Sequence, residues 1–290
     1  MINLEELVEK EIENGYGDIN ARAKVCQDSV LKAISNGSLN RNVTIKGGVV
    51  MRSKTGNTRR ATQDLDIDFI RYSLADASID YFIQKLNCLD GITISRKDEI
   101  EELKQHDYHG KRVYLFIKDN YNHTITSKLD LDVHKHLTID QEEYCFDIAF
   151  DDEGASLLIN SNEQMFTEKL SSLLRFGSIS TRYKDIFDMY FLCQKLNKDK
   201  IQICFDSYIY KDEEMRENDI QDILKRIKRS FNDRFFRRNL AETDKKWVDD
   251  PVDKVLDTIV SLFGRDELLV PTVGGDTMVR TTTNINFACR

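Results

Sequence analysis

Proline and glycine are scarce in this 290-residue chain, and long apolar runs are missing. Two prolines and thirteen glycines argue against a Pro-rich scaffold, a collagen-like chain or a loop-rich all-β protein. No apolar stretch approaches the roughly 20 residues of a membrane-spanning helix. The acidic, amphipathic start of the chain is unlike a secretory signal. We therefore expect a cytoplasmic protein without a membrane partner.

Metal-binding cysteine motifs are also missing. The six cysteines are scattered, and none forms a Cys-x-x-Cys pair, which argues against a zinc site and a disulfide framework. The net charge is −8. Taken alone, this charge speaks against a nucleic-acid partner, because such partners usually meet a basic surface.

The hydrophobic pattern changes character near residue 160. Up to that point helical spacing alternates with strand-like runs, which predicts an α+β domain over 1–160. Within it we expect a charged loop over 52–60 and a last strand over 145–150. Helical spacing then predicts a mostly helical domain over 161–290, with a mobile tail from about residue 266.

Carboxylates alternate along two predicted strands. Asp64 and Asp66 lie two residues apart, so both side chains point to one face of a strand, and Asp68 continues the alternation. Asp130 and Asp132 repeat the pattern on a second strand. Clustered carboxylates are costly unless a cation lies between them. The pattern indicates a Mg²⁺ site for phosphoryl chemistry, with a solvated polar sheet face as the alternative.

A glycine pair precedes the first carboxylate strand. Gly47 and Gly48 follow a short β-like run. A turn without side chains lets backbone N–H groups approach phosphate oxygens.

Four pieces of sequence stand in a specific order along the chain. They are Ile45-Lys46-Gly47-Gly48, Arg60-Ala61-Thr62-Gln63-Asp64-Leu65-Asp66, Leu131-Asp132-Val133, and Glu168-Lys169-Leu170 followed by Arg182-Tyr183-Lys184-Asp185-Ile186-Phe187-Asp188. Together they resemble the AbiEii/AbiGii toxin family of nucleotidyltransferases, which belong to bacterial toxin–antitoxin and abortive-infection (phage-defence) systems. The resemblance spans roughly residues 40–190. It implies a polymerase-β-like nucleotidyltransferase core, with a mixed sheet and helices, followed by a mostly helical C-terminal domain that completes the active site.

The resemblance also implies roles for individual residues. The nucleotide is expected to contact Gly47, Gly48, Arg60, Thr62 and Lys169. Metal ligands are expected at Asp64, Asp66 and Asp132, with Asp130 as the alternative third ligand. Catalytic roles fall to Asp64, Asp66, Lys169, Asp185 and Asp188. The implied cofactor is Mg²⁺ or Mn²⁺, and the substrate is an NTP. Where many such enzymes carry Gly-Ser, this chain has Gly-Gly-Val-Val, so no serine hydroxyl is offered there.

Basic residues are concentrated in one segment in spite of the negative net charge. Residues 225–238 contain seven basic residues and one acidic residue. We predict RNA backbone contacts from Lys225, Arg226, Lys228 and Arg229, with a solvated helix face as the alternative. In the same segment, Phe235 and Phe236 could stack on bases, although core burial is expected for at least one of them.

The expected function is a toxin that moves a nucleotide from an NTP to an acceptor and arrests growth. The expected acceptor is the 3′ end of tRNA or another RNA, and a cognate antitoxin is expected to be encoded nearby. One alternative is nucleotidylation of a protein, or of a small molecule such as an antibiotic. A second alternative is an NTP-binding module without transfer activity.

Overall fold

The computed structural model describes residues 2–103 and 110–264. They form two compact units, one ending at Ser161 and the other beginning at Asn162. Among the described residues, no helix is both long and apolar enough to cross a membrane. The predicted tail from residue 266 lies outside the described residues.

The first unit is built on one mixed sheet. Its strands are β1 Val43–Lys46, β2 Asp64–Phe69, β3 Ile92–Arg96, β4 Glu101–Glu102, β5 Lys111–Asp119, β6 Thr124–Val133, β7 Glu142–Ile148 and β8 Asp151–Ile159. Their order across the sheet is β3-β5-β6-β2-β1-β8-β7, and β4 pairs with β5. β2 runs parallel to β6, and β1 runs parallel to β8. The remaining pairs are antiparallel.

Alternation along β2 separates the core from the carboxylates. Leu65, Ile67 and Phe69 are buried on one face, and the aspartates between them point to the other face. Four helices belong to this unit: α1 Leu4–Glu13, α2 Asp18–Asn36, α3 Gly47–Thr55 and α4 Asp76–Lys85. α2 packs against β6, β7 and β8, and α3 packs against β1 and β2.

One local prediction in this unit is wrong, and a second is only partly right. The charged loop expected over 52–60 is helical in its first part, because α3 continues to Thr55 and a short 3₁₀ turn covers Thr58–Arg60. The strand expected over 145–150 is confirmed for residues 145–148, which belong to β7, but it is not the last strand of the sheet. β7 ends at Ile148, and β8 returns antiparallel to it. Three acidic residues and Gly154 at the start of β8 hide it from pattern reading. Gly154 has φ +70°, and a Cβ there would lie 2.6 Å from a backbone oxygen of β7.

The second unit is helical. Its helices are α5 Asn162–Phe176, α6 Tyr183–Leu192, α7 Lys198–Phe205, α8 Ile220–Phe231, α9 Arg234–Glu242 and α10 Val252–Phe263. Side-chain oxygens of Asn197, Asp219 and Asp233 cap the first turns of α7, α8 and α9. The predicted fold class, a mixed α+β core followed by helices, is confirmed.

Candidate active site

One face of the sheet carries the alternating aspartates of β2 and β6, and we call it the carboxylate face. A row of four charged side chains crosses it. Lys46 on β1 is opposite Asp66 on β2, Asp66 is opposite Asp130 on β6, and Asp130 is opposite Arg112 on β5. The two carboxylates are therefore neighbours on adjacent strands, with a cation on each side. Asp132 lies one step further along β6, opposite Asp68.

Lysines meet the two outer aspartates of β2. Lys128 Nζ lies 2.6 Å from Asp64 Oδ1, and Lys46 forms an ion pair with Asp68 Oδ1. Both of these carboxylate oxygens are buried and accept no hydrogen bond of good geometry. An ammonium charge, and not a well-aligned hydrogen bond, therefore compensates each of these buried oxygens.

Asp66 is the most strongly perturbed acid of the cluster. Burial, opposed in part by Lys46 and reinforced by Asp130, Asp64 and Asp68, raises the pKa of Asp66 to about 6. The five aspartates of this face (Asp64, Asp66, Asp68, Asp130 and Asp132) also outnumber its three cations (Lys46, Lys128 and Arg112). A divalent cation beside Asp66 would relieve this repulsion.

The glycine pair forms the junction between β1 and α3. Gly47 has φ +68°, and a Cβ there would lie 2.3 Å from Asp66 Oδ2. A Cβ on Gly48 would lie 2.7 Å from the Cβ of Thr62. Both positions therefore exclude larger side chains. The first turn of α3, with its free N–H groups, is consequently held directly beside the Asp66 carboxylate.

The side chain of Gln27 holds the start of β2 in place by hydrogen bonds. Its buried amide donates to the carbonyl oxygens of Thr62, at 3.0 Å, and Asp64, at 3.4 Å. Arg52 on α3 in turn donates to the amide oxygen of Gln27. Arg60, which the sequence assigned to the nucleotide, is buried in the 3₁₀ turn before β2. Gln27 and Arg52 carry no motif, so sequence reasoning missed them.

The donor set fits a divalent cation. Asp64, Asp66 and Asp130 supply hard carboxylate oxygens on two adjacent strands, which is the ligand type that Mg²⁺ takes. In the register of the sheet, Asp130 is the acid beside Asp66, whereas Asp132 Oδ1 accepts from the backbone N–H of Val133 at 2.8 Å. Within residues 2–103 and 110–264, no three acidic, histidine or cysteine side chains already surround one cation position. Arg112 and the lysines hold the acids instead.

Lys169, Asp185 and Asp188 meet inside the second unit. Lys169 Nζ lies 2.7 Å from Asp185 Oδ1 and 2.9 Å from Asp188 Oδ2. Asp188 is fully buried, and its Oδ1 accepts from Trp247 Nε1 at 3.1 Å. Two carboxylates therefore fix the ammonium group. Trp247 was missed because it lies far along the chain in a segment without a motif.

The basic segment presents some of its charges and uses others internally. Lys225, Lys228 and Arg229 are exposed on α8. Arg226 is half-buried and donates from Nε to the carbonyl of Leu174 at 3.3 Å, so this predicted RNA contact is tied into the unit itself.

The two phenylalanines of the basic segment have different environments. Phe236 is 1% exposed, whereas Phe235 is 69% exposed. The guanidinium carbon of Arg238 lies 5.5 Å from the centre of the Phe235 ring. Phe236 therefore belongs to the core, and Phe235 remains accessible for stacking.

Comparisons with known proteins extend these observations. A family model described as "Nucleotidyl transferase AbiEii toxin, Type IV TA system" matches residues 29–258. Two solved structures are similar. An antigenic nucleotidyltransferase-like protein from Paracoccidioides brasiliensis is 13% identical, with 73% of this chain and 91% of that chain covered and a TM-score of 0.42. The antibiotic-resistance factor ANT(2'')-Ia is 16% identical, with 64% and 92% covered and a TM-score of 0.40. No curated protein matches the chain.

The family match includes both carboxylate strands, the glycine pair, Lys169 and the basic segment of α8 and α9. It covers well over half of the 290 residues. The chain therefore belongs to the AbiEii family of nucleotidyltransferase toxins of type IV toxin–antitoxin systems.

Proposed function

We propose that the protein transfers a nucleotide from an NTP to the 3′ end of tRNA in a Mg²⁺-dependent reaction that arrests growth, and that a cognate antitoxin restrains it. The observation that carries the proposal is the cross-strand pair of Asp66 and Asp130 beside the Gly47 turn. Neighbouring carboxylates next to the backbone N–H groups of a helix N-terminus suit a metal-bound triphosphate.

The carboxylate face supplies the metal ligands. Asp64, Asp66 and Asp130 would hold the cation, which supplies charge neutralisation for the attacking and leaving oxygens when bound. A carboxylate of the same cluster accepts the proton of the acceptor hydroxyl. The first turn of α3 lies beside Asp66, and its N–H groups would bind phosphate oxygens next to the cation.

Lys169 neutralises the triphosphate and the leaving pyrophosphate as a compact positive charge. Its ammonium is held by Asp185 and Asp188, so little side-chain entropy remains to be lost on binding. Asp188 is buried and acts through Lys169. Asp185 is more exposed than Asp188, with 21% of its side chain accessible, and it is the acid of this pair that a substrate can reach.

An RNA acceptor is favoured by the exposed basic residues of α8 and α9. Lys225, Lys228 and Arg229 offer phosphate contacts, and the exposed ring of Phe235 offers a stacking surface.

The test is transfer of label from each α-labelled NTP to total RNA, with Mg²⁺ or with EDTA. We expect labelled tRNA with Mg²⁺ only. Asp64→Asn should lower the yield by about a hundredfold or more, because it removes a metal ligand. The matched control is Asp90→Asn, an exposed aspartate outside the site, and it should leave the yield unchanged.

Three outcomes would contradict the proposal. Wild-type protein that arrests growth but labels nothing would remove the transfer reaction. Label on protein or on an antibiotic instead of RNA would replace the acceptor. Full labelling by Asp64→Asn would show that the site is elsewhere.

A further inference from the structure

Arg112 and Asp130 form a bidentate ion pair on the carboxylate face. The guanidinium donates from Nε to Asp130 Oδ1 at 2.7 Å and from Nη2 to Asp130 Oδ2 at 2.7 Å. Both carboxylate oxygens are thus occupied by one planar fork. The side chains are 26% and 11% exposed, so water screens the pair weakly. Asp130 raises the pKa of Arg112 above its ordinary value, so the guanidinium stays charged.

The lysines of this face hold their acids differently. Lys128 Nζ lies 2.6 Å from one oxygen of Asp64, and Lys46 forms an ion pair with one oxygen of Asp68. An ammonium on a single oxygen leaves the second oxygen available to another cation. Arg112 donates to both oxygens of Asp130, so one lone pair of each oxygen and the charge of the carboxylate are already engaged. A cation shared by Asp66 and Asp130 therefore competes with this guanidinium.

We propose that Arg112 is a positioning residue that competes with the divalent cation for Asp130. With Arg112 in place, the protein alone binds the cation weakly, and tight binding requires the cation to arrive together with the polyphosphate of the nucleotide. This inference rests on the proposed function, because the metal ligands are those assigned there.

The test is a titration of nucleotide-free protein with Mn²⁺, in which the electron paramagnetic resonance signal of the free ion measures how much Mn²⁺ remains unbound. Arg112→Gln should tighten Mn²⁺ binding by about tenfold or more, since a unit charge next to the ion is removed and both oxygens of Asp130 are released. Arg96→Gln is the matched control. Arg96, on β3 of the same sheet, also pairs with an aspartate, Asp80 of α4, at 3.0 Å, and its loss should leave Mn²⁺ binding unchanged.

Asp130→Asn completes the design. It should weaken Mn²⁺ binding, and in the Arg112→Gln background it should abolish the gain. A merely structural role of Arg112 predicts the opposite result for the single variant: unchanged or weaker binding, which would overturn the inference. A gain that persists without the Asp130 carboxylate would overturn it as well.

A folding defect does not remove the test. If Arg112→Gln fails to fold, Arg112→Lys keeps the charge but loses the fork, and it should tighten Mn²⁺ binding measurably by freeing one oxygen. No tightening in a folded Arg112→Lys would overturn the inference. Because neither nucleotide nor acceptor is present, the titration can succeed where the transfer assay fails, and the two proposals fail separately.

Discussion

A methyl group added at Gly47 should lower the rate of nucleotide transfer much more than a methyl group at Gly56, although both should lower stability by a similar amount. Gly47 opens α3 with φ +68°, and a Cβ there would lie 2.3 Å from Asp66 Oδ2. Gly56 closes the same helix with φ +60°, and a Cβ there would have no neighbour within 4 Å. Gly47→Ala and Gly56→Ala therefore share the cost of a left-handed alanine, and only the first displaces a carboxylate.

The size of each effect follows from the geometry. A left-handed alanine costs about 1–2 kcal/mol, which both variants should lose in the free energy of unfolding. In Gly47→Ala the Asp66 carboxylate must also move by about 1 Å to reach an ordinary contact of 3.4 Å. Misplacement of a reacting group by about 1 Å can lower the rate about a hundredfold, which corresponds to about 2.7 kcal/mol in the activation free energy.

The assay measures both quantities on both variants. Urea unfolding followed by circular dichroism should give similar losses of stability. Nucleotide transfer to total RNA should fall about a hundredfold for Gly47→Ala and stay within a few-fold of wild type for Gly56→Ala. Equal activities of the two variants would refute the assignment of Asp66 to the active site. A much larger stability loss for Gly47→Ala would show that the carboxylate cannot swing aside.

Three further predictions concern the framework. Phe236→Ala should cost about 3–5 kcal/mol of unfolding free energy, whereas Phe235→Ala should be nearly neutral, because the two rings are 1% and 69% exposed; urea unfolding compares them. Trp247→Phe should lower the free energy of unfolding by about 2 kcal/mol, because it removes a hydrogen bond to the buried carboxylate of Asp188. Its unfolding must be measured by circular dichroism and not by tryptophan fluorescence, because Trp247 is the single tryptophan. Burial raises the pKa of Asp119, but hydrogen bonds from Leu4, His123 and Tyr121 outweigh burial and lower the pKa below its ordinary value. The ionised carboxylate therefore stabilises the fold fully above about pH 4, and this stabilisation is lost as the pH falls through the folded-state pKa. In Asp119→Asn, the free energy of unfolding should lack this loss at acid pH.

Local patterns predicted the two carboxylate strands because alternation is a property of neighbouring residues. Leu65 and Ile67 face the core, and the aspartates between them face away. The same reasoning placed the glycine pair between β1 and the acids. It did not predict helix α3, because Arg52 and Lys54 look like part of a polar loop. Arg52 is buried through its contacts with Gln27 and Asp28, and tertiary contacts of this kind leave no local signal.

The sequence alone does not decide whether Asp130 or Asp132 lies beside Asp66. Asp130 and Asp132 share one face of β6, so alternation cannot distinguish them. The choice depends on the register between β2 and β6, which lie about sixty residues apart in the chain, and this register places Asp130 beside Asp66. The same non-local pairing brings Arg112 opposite Asp130. Sequence reasoning therefore finds motifs along the chain, but it misses side chains that meet only through the pairing of distant strands.

The distribution of charge explains why a net charge of −8 is a poor guide to the partners of this protein. Carboxylates alternating along β2 and β6 are met by Lys46, Lys128 and Arg112, yet burial and the residual repulsion still raise the pKa of Asp66 to about 6. A face that was selected for stability alone would pair these acids fully or replace them with apolar residues, because uncompensated buried charge is costly. The incomplete neutralisation is what leaves room for a cation, and stronger internal pairing should therefore gain stability at the expense of nucleotide transfer.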